Sequence, residues 1–126
     1  TRLIAIKEDC ILVLTKNEEF KNSLAGGIKK KNETALVSLI RETKEEIGIS
    51  LKASEVELLS TSVIIKENSN KKYFIVDGTD FKPQNLEPEK FKIIQWKPWY
   101  LAVKYMDKAD SKTVKEYYKS AIATAK

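Results

Sequence analysis

The segment from Glu33 to Ile47 constrains this chain more than any other. Leu36, Ile40, Thr43 and Ile47 recur at i, i+4, i+7 and i+11, which places them on one stripe of an α-helix. Gly48 follows directly, where a glycine often closes a helix. A helix turns about 100° per residue, so Glu42, Glu45 and Glu46 are expected in one arc opposite that stripe. The helix is therefore expected to bury one face and to present three carboxylates to solvent on the other.

The rest of the chain supplies strands for the buried face to rest on. Leu3–Ile6 and Ile11–Leu14 are short apolar runs separated by Lys7-Glu8-Asp9, the pattern of a strand hairpin. A polar stretch, Lys16–Ser23, leads to Leu24-Ala25-Gly26-Gly27, whose paired glycines mark a tight backbone feature. Beyond the helix, Val56–Ile65, Tyr73–Val76 and Phe91–Trp96 read as strands, joined by Lys66–Lys72 and by a long loop, Gly78–Lys90. Trp99–Tyr105 and Ser111–Thr124 read as helices, the second with Val114, Tyr118, Ala121 and Ala125 on one stripe. Strands, helix, strands, helix predicts an α+β or layered α/β/α domain with a mixed sheet. The 126 residues suit one domain spanning 1–126.

Composition narrows the chemistry. The chain has one cysteine, Cys10, and no histidine. An internal disulfide, a Cys/His zinc site and a Ser-His or Cys-His nucleophile are all excluded. Hydrolysis here must run on carboxylates, lysines, hydroxyls or a hard metal. Carboxylates at i, i+3 and i+4 repel one another, and Mg²⁺ or Mn²⁺ with its preference for oxygen ligands relieves that repulsion. A glutamate triplet alone reads equally well as a solvated helix face. Arg41 precedes the triplet and can orient one of its carboxylates. Glu33 stands eight residues earlier, about 12 Å along an ideal helix.

The full spacing decides between these readings. Gly27 is followed after five residues by Glu33; seven residues later come Arg41-Glu42, then Thr43, Lys44, Glu45-Glu46, Ile47, Gly48 and Ile49. This resembles the Nudix box, and the segment is too long and too regularly spaced to match by accident. Thr43 departs from the family's aliphatic residue there; its methyl is expected to pack and its hydroxyl to bond back along the helix. Ala25 stands where the family often has proline, and Ile28–Asn32 is unusually rich in lysine.

The resemblance implies a Nudix-like α/β/α sandwich and a metal-dependent hydrolase that cuts the diphosphate bond of a nucleotide-like small molecule. It implies Mg²⁺ or Mn²⁺ on Glu42, Glu45 and Glu46, with the backbone carbonyl of Gly27 or Gly26 as a further ligand. Glu42 is the first candidate for the base. Glu87 is the second, slightly ahead of Glu89 in the same loop, where either reads equally well as a metal ligand or base and as an exposed loop residue. Glu33 and Arg41 would hold loop and helix together. The segment from Asn85 to Trp96 looks like that of members cleaving nucleoside triphosphates to monophosphate and diphosphate. No proline lies near Val63-Ile64, where the ADP-ribose branch tends to carry one. The family also includes non-catalytic modules that bind nucleotides or nucleic acid, usually with a damaged box, and its enzymes are often homodimers.

The net charge of +5, from 23 Lys and Arg against 18 Asp and Glu, suits an anionic ligand as well as simple solubility. Nucleic acid is the less favoured partner. No apolar run reaches the length of a membrane helix, and Thr1-Arg2-Leu3-Ile4 lacks the layout of a signal peptide, so a cytoplasmic location is expected. Phe74 and Trp96 are expected in the core; Trp99 and Tyr100 are open to core packing or base stacking.

Overall fold

A computed structural model describes residues 1–17, 20–67 and 69–125. Their strands form one mixed sheet of β1 (Arg2–Lys7), β2 (Cys10–Lys16), β3 (Asn22–Ser23), β4 (Ala25–Gly26), β5 (Glu57–Ile64), β6 (Ser69–Asp77) and β7 (Phe91–Pro98). The order is β3-β2-β1-β6-β5, with β4 also on β1 and β7 also on β2. Only β1 and β6 run parallel among these pairs. The opening hairpin is in register at Ile6↔Ile11 and Lys7↔Cys10, and its turn places Glu8 at φ 57°.

Both faces of the central strands are covered, which explains their near-continuous apolar runs. Leu3, Ala5, Leu12, Leu14 and Phe74 face α1 (Ala35–Ile47) and pack with Leu39 and Ile47. Ile4, Ile11, Val13 and Tyr73 face the other way, against Ala102, Val103, Val114 and Tyr118. Those last residues belong to α2 (Trp99–Ala102), the 3₁₀ turn Val103–Tyr105 and α3 (Lys108–Ala125). The result is the expected three layers. Burying a side chain such as Leu39 or Ile47 contributes roughly 1.5–3 kcal/mol.

Several expectations need adjustment. Thr34 caps α1, accepting a hydrogen bond from the Val37 amide at 3.1 Å, so the helix starts after Glu33. Ser69–Lys72 belong to β6, and Ile65–Glu67 form a 3₁₀ turn; the remainder of the Lys66–Lys72 connector, residue 68, lies outside the described residues, as do residues 18 and 19 of the Lys16–Ser23 stretch. Of the α3 stripe, Val114 and Tyr118 are buried but Ala121 is exposed, because the helix runs past the edge of the sheet core. The side chain of Ala125 lies outside the described residues. Phe74 is buried, and Trp96 packs against the α1-side core. Trp99 stacks on Tyr118 with ring centroids 4.8 Å apart, whereas Tyr100 is exposed.

Candidate active site

Three pieces of chain meet at the charged side of α1. The first is the Gly26–Gly27 turn. Gly27 continues the β1–β4 ladder: its amide donates to the Thr1 carbonyl at 3.1 Å, and its own carbonyl accepts from the Thr1 nitrogen at 2.8 Å. The Thr1 hydroxyl also donates to that carbonyl, at 3.4 Å. A Cβ on Gly27 would fall 2.5 Å from Glu42 Cδ and 2.8 Å from both carboxylate oxygens. The Glu42 carboxylate lies directly against the backbone, and a side chain at this position would displace it.

The second piece is α1 itself, organised around Arg41. Its Nε and Nη2 donate to the two oxygens of Glu33 at 2.8 and 3.0 Å, a bidentate pair that fixes the guanidinium plane. Its Nη1 donates to Glu42 at 3.0 Å and to Glu45 at 3.3 Å. The Arg41 hydrogen bonds, with the Lys30 amide, hold the Glu33 carboxyl down at about 2. Glu33 thus reaches Arg41 from the turn before the helix, across the gap that the spacing left open.

The third piece is the loop before β7. Gln84 and Leu86 amides donate to the carbonyls of Ile47 and Glu46 at 2.9 and 3.1 Å, which satisfies the exposed end of α1. Asn85 accepts from the Glu87 amide at 3.1 Å and donates to the Phe91 carbonyl at 2.7 Å. These bonds place Glu87 on the Glu46 side of the helix. Its carboxylate pairs with Lys90 at 3.1 Å, and Glu89 is exposed. The sequence reading missed Asn85 as the residue that sets this loop, although an Asn two positions before the loaded residue is the signal of an Asx turn.

Glu46 departs from expectation. It is 5% exposed and does not lie on a solvent-facing arc. It sits three residues after the fully buried Thr43, on the same side as Leu39. Its Oε1 accepts from the Gly26 amide at 2.8 Å, so the glycine turn supplies the partner that makes the burial tolerable. Burial, chiefly, raises its pKa to about 7, and the charges of Glu42 and Glu87 push in the same direction. Glu45 does face solvent, with its side chain 54% exposed, and Glu42 is partly buried. Thr43 is also corrected in one respect: its buried hydroxyl has no hydrogen-bond partner, so the back-bond along the helix does not form.

Among the described residues no three carboxylates converge on one point, since Glu42 and Glu45 turn to Arg41 and Glu46 turns to Gly26. The donor set nevertheless fits a hard divalent cation. It consists of oxygen ligands, and the charges of Glu42 and Glu87, each held by its own cation (Arg41 and Lys90), still act on Glu46. A cleft of about 570 Å³ opens next to Gly27 and Glu33, flanked by Arg2, Lys29, Lys71 and Lys72. Lys30 and Lys31 are exposed.

The mixed sheet between helices is shared with solved structures of MutT and Nudix proteins. The structure of a C. elegans Ap4A hydrolase binary complex matches 99% of this chain and 98% of its own, with a TM-score of 0.75 at 18% identity. MutT NUDIX hydrolase from Burkholderia pseudomallei matches 90% and 92%, with a TM-score of 0.72 at 17% identity. MutT from Bacillus halodurans matches 90% and 77%, with a TM-score of 0.67 at 26% identity. No curated protein matches the chain. The model of the NUDIX domain matches residues 3–119, and the chain belongs to that family.

Arg41 gives the site its first test. Arg41→Ala should lower kcat by roughly 10–100-fold, the usual cost of losing a group that orients the reacting side chains. Arg41→Lys should recover little of it, because an ammonium cannot make the bidentate pair with Glu33. Steady-state kinetics alongside thermal unfolding would check this; a Lys variant with full activity would show that charge alone suffices.

Proposed function

We propose that this chain is a divalent-metal-dependent hydrolase of a nucleoside diphosphate linked to another moiety, with nucleoside triphosphates, cleaved to monophosphate and diphosphate, as the first substrates to test. The observation that carries the proposal is the meeting of Glu42 and Glu46 with the Gly26–Gly27 turn, with the charge of Glu87 acting on Glu46. Mg²⁺ or Mn²⁺ would be held by Glu42, Glu45, Glu46 and the Gly27 carbonyl; when bound it neutralises phosphate charge and acidifies water.

The chain's own residues do the rest. Glu42, held by Arg41 at 3.0 Å, takes the proton of the attacking water; Glu87 is the alternative base from the loop. Arg41 holds Glu42 and Glu45 in reach of the turn. Arg2, Lys29 and Lys72 along the neighbouring cleft attract the anionic substrate. No helix among the described residues is long and apolar enough to cross a membrane, and nothing in the proposed reaction needs one.

The test is a phosphate-release screen of the purified protein. Nucleoside triphosphates, nucleotide sugars and dinucleoside polyphosphates would be supplied with Mg²⁺ or Mn²⁺, with coupled enzymes reporting products and a chelator as control. Turnover of the triphosphates that stops on chelation is the expected result. Turnover confined to another group would reassign the substrate. Nucleotide binding without turnover, unchanged in chelator, would point instead to a non-catalytic module.

A further inference from the structure

The edge of the sheet carries a second charged surface, away from α1. Among the described residues β7 pairs with no strand besides β2. A cleft of about 340 Å³ lies along β7, next to β2, and is lined by Lys16, Lys92, Lys97, Phe20, Tyr105 and Ile93, with polar neighbours. None of the three lysines makes an ion pair among the described residues, and no described acidic residue lines the cleft.

The backbone builds this arrangement. The register of β2 on β7 shifts between Thr15, opposite Ile93, and Lys16, opposite Phe91, which leaves Lys92 as the extra residue. A bulge breaks the alternation of a strand and re-aims the side chain at that point. Lys92 therefore joins Ile93, Gln95 and Lys97 on one cleft rather than pointing to the opposite face. Phe20 is 88% exposed and Tyr105 is 55% exposed. Neither packs in a core cluster.

We propose that this cleft binds a single-stranded nucleic acid, with its phosphates on Lys16, Lys92 and Lys97 and its bases on Phe20 and Tyr105. A positive groove interleaved with exposed aromatic rings is what a strand of nucleotides needs and what a solvated lysine patch does not. Lys92 and Lys97 are five residues apart on an extended strand, about 16 Å. One phosphate cannot meet both lysines, but successive phosphates of a strand can. The cleft also borders the catalytic loop: Asn17, one of its lining residues, donates to the carbonyls of Pro88 and Glu89 at 3.0 and 2.9 Å. The proposal is independent of the substrate assigned to the box.

Fluorescence anisotropy with labelled dT12 and U12, in chelator to block hydrolysis, tests it directly. Both should bind, and raising salt from about 50 to 200 mM should weaken binding about twentyfold, the response to roughly three phosphate contacts on a single strand. Lys16→Glu/Lys92→Glu/Lys97→Glu should weaken binding by on the order of tenfold or more, and Phe20→Ala/Tyr105→Ala by about fivefold or more. The equal-charge control Lys52→Glu/Lys115→Glu/Lys119→Glu, at exposed lysines outside both clefts, should bind nearly as well as the unaltered protein. Binding of only one of dT12 and U12 would identify the sugar that the cleft accepts and still support it. No binding at low salt, or equal losses in the two lysine triples, would overturn the proposal. Thermal unfolding of each variant separates loss of binding from loss of fold.

Discussion

Replacing Glu42 by Gln should lower kcat by about 10²–10⁴-fold, the usual contribution of a general base, with little change in the unfolding temperature. Gln keeps the length of the side chain and an oxygen for Arg41 Nη1, which now donates to Glu42 at 3.0 Å. It also keeps the contact with Gly27 that leaves no room for a Cβ. What disappears is the negative charge and the site for a proton. The neighbouring variants should differ in kind. Glu45 is exposed and is held by Arg41 at 3.3 Å, so Glu45→Gln should act mainly through metal affinity, raising the Mn²⁺ concentration needed for half-maximal rate. Glu87→Gln tests the competing base. Initial rates at saturating metal and substrate, with unfolding curves on the same samples, would separate these outcomes. If Glu42→Gln stays within tenfold of the unaltered enzyme while Glu87→Gln does not, the base belongs to the loop.

Much of this site was legible in the sequence because it is written at helical spacing. Gly27, Glu33, Arg41 and Glu42 have fixed separations, and the helix turns those separations into directions. Gly48 ends the helix at φ 73°, as its position suggests. The three layers follow from apolar runs that are continuous in β1 and β2 and periodic in α1. Glu46 was misplaced for a physical reason. The stripe of Leu36, Ile40, Thr43 and Ile47 is only part of the buried face, since Leu39, Thr43 and Glu46 follow the same i, i+4, i+7 rule. A buried carboxylate is rare unless partnered, and its partner is the Gly26 amide, twenty positions away. Glu87 was legible as a candidate but not as a neighbour of Glu46. Its placement depends on Asn85, on Asn17 and on the end of α1, contacts between segments that no local pattern encodes. Ala121 was misread because periodicity says which face a residue shares, not how far the opposing sheet extends.

The buried Glu46 makes stability and metal binding respond to pH together. Its folded pKa of about 7 lies above the ordinary 4.5, so between these values the folded protein holds a proton that the unfolded chain has released. Stability therefore falls as pH rises across that window. The contribution is present in full below pH 4.5 and gone above about pH 7. The full shift corresponds to roughly 3 kcal/mol. The absence of histidine removes the side chain that ordinarily titrates there. In chelator, then, urea unfolding should show the protein losing stability from about pH 4.5 to 7, and Glu46→Gln should flatten that slope. A divalent cation needs the ionised carboxylate and binds only the folded site, so it should stabilise more as pH rises. With saturating Mn²⁺ the decline should disappear or reverse, and Glu46→Gln should lose most of that metal response. Stability that rises through this window in chelator would show that Glu46 is ionised in the folded protein; a metal response of equal size in Glu46→Gln would remove Glu46 from the metal site.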